Sequence, residues 1–104
     1  MRLKDKVATV TGGARGIGAG IARCLAAEGA HLALIDIDGT EAEATAKILG
    51  VAAIGIGSDV SDEGQARTAI ERVVASFGGV DILVNNVGGG GQFAAGASAT
   101  HSPT

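Results

Sequence analysis

The chain reads as an α/β domain built on a doubly wound parallel sheet, and three observations predict it. Short apolar runs alternate with segments of helical period. The first run passes through a glycine-rich turn straight into a helix. The 104 residues suit one domain with a single layered core. Four predicted strands separated by three predicted helices require parallel pairing through right-handed crossovers, and the expected strand order is 3-2-1-4.

Each element has its own signal. Residues 7–11 (VATVT) form an apolar, β-branched first strand. Residues 16–29 read as a helix, with Ile17, Ile21 and Leu25 at i, i+4 and i+8 and Gly29 as its stop. Cys24 falls with that apolar face and is expected in the core. The run from His31 supplies a second strand at 32–35 that ends at Asp36. A second helix is expected over 40–49, its Glu41 and Glu43 in the first turn and Lys47 near the end, as the helix dipole favours. Residues 52–56 give a short third strand. Residues 61–77 give a third helix with Ser61 as N-cap and Ile70, Val73, Val74 and Phe77 as the buried stripe. Gly78-Gly79 ends it, and 80–85 form the fourth strand. The strands are nearly continuous in apolar residues, as expected when helices cover both sheet faces.

Composition removes several function classes. The formal net charge is −3, tryptophan and tyrosine are absent and only two phenylalanines occur, so the chain offers neither a basic face nor a stacking platform for nucleic acid. A single cysteine excludes an internal disulfide and a cysteine-rich zinc site, and His31 and His101 are too far apart in sequence to suggest a metal pair. The charged start, residues 1–6, is not followed by a long apolar stretch, so no signal peptide or membrane span is expected and a cytoplasmic, reducing location is.

The richest stretch is Thr11-Gly12-Gly13-Ala14-Arg15-Gly16-Ile17-Gly18, where a strand turns into a helix. A helix start presents unpaired N–H groups and the positive end of its dipole, and glycine lets backbone approach an anion without a Cβ in the way. The pyrophosphate of a dinucleotide suits such a turn. By itself the loop is equally compatible with a plain strand–helix turn. Asp36 strengthens the reading, because it lies 18 residues after Gly18, close to the roughly 20 expected of a carboxylate that accepts the adenosine ribose hydroxyls. That carboxylate also repels a 2′-phosphate, so NAD is expected over NADP. Arg15, a basic residue that could serve a 2′-phosphate, pulls the other way, or lies over the pyrophosphate, or is simply solvated.

Together the motifs resemble the N-terminal part of the short-chain dehydrogenases/reductases. Thr11-Gly12-x-x-x-Gly16-x-Gly18 resembles that family's T-G-x-x-x-G-x-G loop, and Asp36 matches the acid that ends the second strand in its NAD-preferring members. Asp59-Val60 resembles the pair that frames adenine, and Asn85-Asn86-Val87-Gly88 resembles N-N-A-G, with valine in place of alanine. The resemblance covers residues 3 to about 90 and implies a Rossmann-type sheet, here truncated after its fourth strand. It also implies a set of cofactor-binding residues. Gly12, Arg15, Gly16, Ile17 and Gly18 would lie at the pyrophosphate turn, Asp36 at the ribose, Asp59 and Val60 at the adenine, and Asn86 and Gly88 along the cofactor after the fourth strand.

The same resemblance implies hydride transfer between a nicotinamide and an alcohol or ketone. That chemistry uses a tyrosine as acid/base, a lysine four residues later, a serine and an asparagine on the preceding helix. The chain has no tyrosine, its last lysine is Lys47, and no catalytic residue is assigned. The expected division is an NAD(P)-binding Rossmann segment over 1–90 and a flexible or non-native tail over 91–104, where periodicity is lost. Three readings stay open: the cofactor-binding portion of an oxidoreductase, inactive alone; a stand-alone dinucleotide-binding module; and a non-functional truncated product. If the sheet stops at its fourth strand, that strand becomes a bare edge, and self-association through it is expected.

Overall fold

The computed structural model describes residues 2–86. Its elements are β1 (Val7–Thr11), α1 (Gly16–Ala27), β2 (His31–Asp36), α2 (Gly39–Lys47), β3 (Ala53–Gly57), α3 (Glu63–Phe77) and β4 (Ile82–Asn85). The strands form one parallel sheet in the order β3-β2-β1-β4, the expected first half of a doubly wound fold. Val10 stands opposite Leu34 and Val84, and Leu32 opposite Ala53, so the central strands are flanked by apolar neighbours on both sides. The entry of β4 is fixed by a reciprocal pair: Val7 N–H donates to Asp81 Oδ2 and Asp81 N–H donates to the Val7 carbonyl, both at 2.8 Å.

Period-2 alternation divides the strands between two cores. Ala8, Val10, Leu32, Leu34 and Val84 face α1 and α2, meeting Ala22, Ala26, Ala42 and Ala46. Val7, Ala33, Ile35 and Ile56 face α3, meeting Ala69 and Val73. Leu32, Leu34, Ile35, Val10 and Val73 are the largest fully buried apolar side chains, each worth about 1.5–3 kcal/mol of transfer free energy.

α1 departs from the sequence expectation. Its buried residues are Gly18, Ala19, Ala22 and Ala26, not Ile17, Ile21 and Leu25. Ile17 is 55% exposed, Cys24 is exposed, and Ile21 and Leu25 only flank the first core. The helix is turned by one position because the stripe of small residues lets it lie close against the sheet. The helix ends as expected at Gly29, whose φ of +94° few other residues adopt readily.

α2 starts at Gly39, one residue early, because Asp38 caps it, its side chain accepting the Glu41 N–H at 3.0 Å. α3 starts at Glu63 with Asp62 in the N-cap position. Ser61 is not the cap: its N–H and hydroxyl are both spent on Asp59 Oδ1. Val74, expected in the stripe, is 44% exposed, while Ala69 takes the buried place. β3 runs one residue later than expected and β4 begins at Ile82 rather than residue 80. Among the described strands β4 pairs only with β1, and Leu83 on it is 36% exposed.

Candidate functional site

All four strands are parallel, so the turns that follow β1, β2 and β3 and the end of β4 come together at one edge of the sheet. The turn after β1 is tied to β2: Gly12 N–H donates to the Ile35 carbonyl at 2.7 Å. It is also pressed against the end of β4. A Cβ on Gly12, whose φ is +65°, would lie 3.0 Å from the Asn86 carbonyl oxygen, and a Cβ on Gly18 would collide with the Gly12 carbonyl and approach Asn86 Nδ2. Gly12, Gly18 and Asn86 thus form one close-packed cluster. Gly16 differs, because with φ +63° its Cβ would meet nothing within 4 Å. The turn is therefore packed on one side and open at Gly16.

The start of α1 is open in the electrostatic sense as well. Arg15 occupies the N-cap position with extended backbone and gives no side-chain hydrogen bond, and no acid lies in the first turn. α2, by contrast, spends Asp38 on its own N-terminus. The unpaired N–H groups and the dipole of α1 are thus left for an anion from outside. Arg15 and Ile17 are both exposed, and the Arg15 guanidinium makes no ion pair with another described residue.

Asp36 is held between the turns after β1 and β2. Its Oδ2 accepts the Ala14 N–H at 3.2 Å and its Oδ1 accepts the Asp38 N–H at 3.1 Å. Two bonds leave an ionised carboxylate with free lone pairs for a vicinal diol. The backbone carbonyl of Asp36 accepts Ser58 N–H at 2.9 Å, which brings the turn after β3 alongside. There Asp59 Oδ1 accepts the Ser61 hydroxyl at 2.6 Å and the Ser61 N–H at 3.0 Å. These bonds, the hydroxyl first, hold the Asp59 carboxyl below its ordinary range. Val60 is half-buried against the second core, beside Ile70. Ile37, which follows Asp36 directly, is 74% exposed.

Of the predicted residues, Gly12, Arg15, Gly16, Ile17, Gly18, Asp36, Asp59, Val60 and Asn86 all lie on this edge. Gly88 lies outside the described residues. Two threonines without an assigned role are also built into the edge. Thr11 Oγ1 donates to Asn85 Oδ1 and accepts the Asn86 N–H, both at 3.0 Å, latching β1 to β4. Thr45 on α2 donates to the Ala14 carbonyl at 2.7 Å. A polar residue closing an apolar strand was a visible signal for Thr11; nothing in the sequence pairs Thr45 with Ala14. Among the described residues, no cluster of three or more His, Cys, Asp or Glu could hold a metal ion, and no helix is long and apolar enough to cross a membrane.

The strand order β3-β2-β1-β4, with an uncapped helix start beside the acid that ends the second strand, places the chain in the doubly wound α/β class. The family model described as short chain dehydrogenase matches residues 6–102, and the chain belongs to that family. It is 49% identical over 86 residues to galactitol 2-dehydrogenase of Agrobacterium fabrum, an alignment covering 83% of this chain and 34% of that protein. It is 47% identical over 90 residues to D-threitol dehydrogenase of Mycolicibacterium smegmatis, covering 84% and 35%. Among solved structures, the 3-ketoacyl-(acyl-carrier-protein) reductase from Brucella melitensis complexed with NADH superposes with a TM-score of 0.79 at 42% identity, over 83% of this chain and 36% of that one. The chain spans about a third of the length of these relatives.

Proposed function

We infer that residues 1–90 form the binding site for the adenosine and pyrophosphate part of a nicotinamide dinucleotide, with NAD(H) preferred over NADP(H). The observation that carries this reading is the pairing of the open turn at Gly16 with an Asp36 carboxylate fixed by the Ala14 N–H. The residues present fit the group. The turn at Gly16 is free of side chains, the N-terminus of α1 is uncapped, and Asp36 retains acceptor capacity for a ribose diol. The similarity to a reductase complexed with NADH supports the same assignment. The preference for NAD(H) follows from charge, since a 2′-phosphate brought to Asp36 would place like charges together.

Gly12, Gly16 and Gly18, with the backbone of Arg15 and Ile17, hold the pyrophosphate; Asp36 takes the ribose; Asp59 and Val60 frame the adenine; Asn86 and Gly88 run along the cofactor. When bound, the nicotinamide supplies hydride transfer to or from a carbonyl carbon. We assign these 104 residues the cofactor-binding part of an alcohol/ketone oxidoreductase, inactive by themselves because none of them is a tyrosine that could protonate the resulting alkoxide. Residues 1–90 are proposed as the binding segment; the tail expected over 91–104 lies outside the described residues.

Titration of the chain with NADH and with NADPH, followed by calorimetry, tests the reading. Saturable NADH binding, with NADPH weaker by about tenfold or more from the like-charge contact, is expected. No binding of either, or tighter NADPH binding, contradicts it. Self-association through β4 is part of the same proposal, supported by its pairing, among the described strands, with β1 alone and by its exposed Leu83. A sharp monomer peak in size-exclusion chromatography at micromolar concentration counts against that part alone.

A further inference from the structure

Ala14 is 3% exposed, and both peptide groups that flank it need partners. The N–H of the first peptide goes to Asp36, while the carbonyl of the second accepts the Thr45 hydroxyl at 2.7 Å. Thr45 stands on another helix, 31 residues away in sequence. A helical threonine ordinarily turns its hydroxyl back to its own i−4 carbonyl. Thr68 on α3 does this, donating to the Gly64 carbonyl at 3.1 Å. Thr45 instead reaches across to the turn. Threonine is also a poor helix former, and α2 has only nine residues.

The bond has a directional consequence. In a trans peptide the C=O and N–H point in opposite directions. With the Ala14 carbonyl drawn toward α2, the Arg15 N–H of the same peptide points away from it, and Arg15 is the residue from which α1 starts. We propose that Thr45 is a positioning residue for the cofactor turn: through the Ala14 carbonyl it fixes the peptide that aims the start of α1, as Asp36 fixes the peptide before it. Asp36 and Thr45 thereby grip the turn from β2 and α2 together. The effect on the cofactor rests on the dinucleotide reading; the effect on the turn does not.

The test compares Thr45→Val, which keeps the shape and removes the hydroxyl, with Thr45→Ser, which keeps the hydroxyl. Two readouts are taken on the chain: the orientation of the Arg15 N–H, from its residual dipolar coupling without cofactor, and the Kd for NADH. Thr45→Val should reduce the Arg15 coupling, as its peptide averages over more than one orientation, and bind NADH about tenfold more weakly, the scale of one hydrogen bond. Thr45→Ser should restore both. A role confined to holding α2 in place would lower Tm but leave the Arg15 coupling and NADH affinity at wild-type values, and that result overturns the proposal. Equal losses in valine and serine variants also overturn it. Should the valine variant not fold, Thr45→Ala carries the same comparison. If wild-type chain fails to bind NADH, the dinucleotide reading falls, and the Arg15 coupling alone decides the role of Thr45.

Discussion

Asp36 Oδ2 accepts the N–H of Ala14 at 3.2 Å, so the acid at the end of β2 also anchors the glycine turn after β1. Replacing it removes two things together. Asp36→Ala should weaken NADH binding by about 10- to 100-fold, from one or two charge-assisted bonds, and narrow the gap between NADH and NADPH. Asp36→Asn keeps one acceptor oxygen and loses the charge, so it should retain more NADH affinity while losing the discrimination. Parallel titrations with both dinucleotides check this; an unchanged preference in both variants denies Asp36 its ribose role.

Thr11 joins the ends of β1 and β4 through a hydroxyl that donates to Asn85 and accepts from Asn86. Thr11→Val leaves the Asn86 N–H without that acceptor and should cost about 1–3 kcal/mol in urea unfolding. Thr11→Ser keeps both bonds and should stay within about 1 kcal/mol of wild type. Equal stability of Thr11→Val and wild type would show that the latch carries no energy.

The glycines of the turn should differ sharply from one elsewhere. Gly18→Ala places a Cβ on the Gly12 carbonyl and within 3.0 Å of Asn86 Nδ2. Backbone must shift to admit it, and a loss of about 2 kcal/mol or more, with loss of NADH binding, is expected. Gly64 lies in the first turn of α3 with nothing near its Cβ, so Gly64→Ala should be neutral or stabilise by up to about 1 kcal/mol. Thermal and urea unfolding of the two variants provide the comparison.

What the sequence made legible follows from physics of different range. β1 and β2 stand out because a strand buried on both faces is a continuous apolar run, and the alternation of runs with helical segments set the order 3-2-1-4. α1 was legible as a helix but not in its rotation. Ile17, Ile21 and Leu25 share the period of Gly18, Ala22 and Ala26 one position away, and large side chains suggested the wrong face. Small residues won because they permit the closer approach to the sheet, which leaves Cys24 and Ile17 outside. Ser61 has the chemistry of a cap, yet Asp59 two residues earlier captures it. Asp36 was legible from its spacing. The bonds that hold the turn, Thr11 to Asn86 and Thr45 to Ala14, span 75 and 31 residues, and no local pattern encodes which side chain meets which peptide.

Ser61 keeps the Asp59 carboxyl ionised to lower pH than an ordinary aspartate. A depressed folded-state value favours the charged native form. Its contribution is full above the unfolded aspartate range and is lost as pH falls through the lower folded value. Ser61→Ala removes the larger cause, so Asp59 should titrate closer to the ordinary range. Carboxyl-carbon NMR across the acid range reads this directly, and an unmoved midpoint would mean the hydroxyl contributes nothing.

The most direct test of the central claim is an amide correlation NMR spectrum of the chain recorded with and without NADH. The account predicts a dispersed spectrum in which Gly12, Ala14 to Gly18, Asp36, Asp59, Val60 and Asn86 move on addition, while α3 beyond its first turns stays fixed. A dispersed spectrum in which none of these resonances moves, at NADH concentrations that saturate relatives of this family, would contradict it.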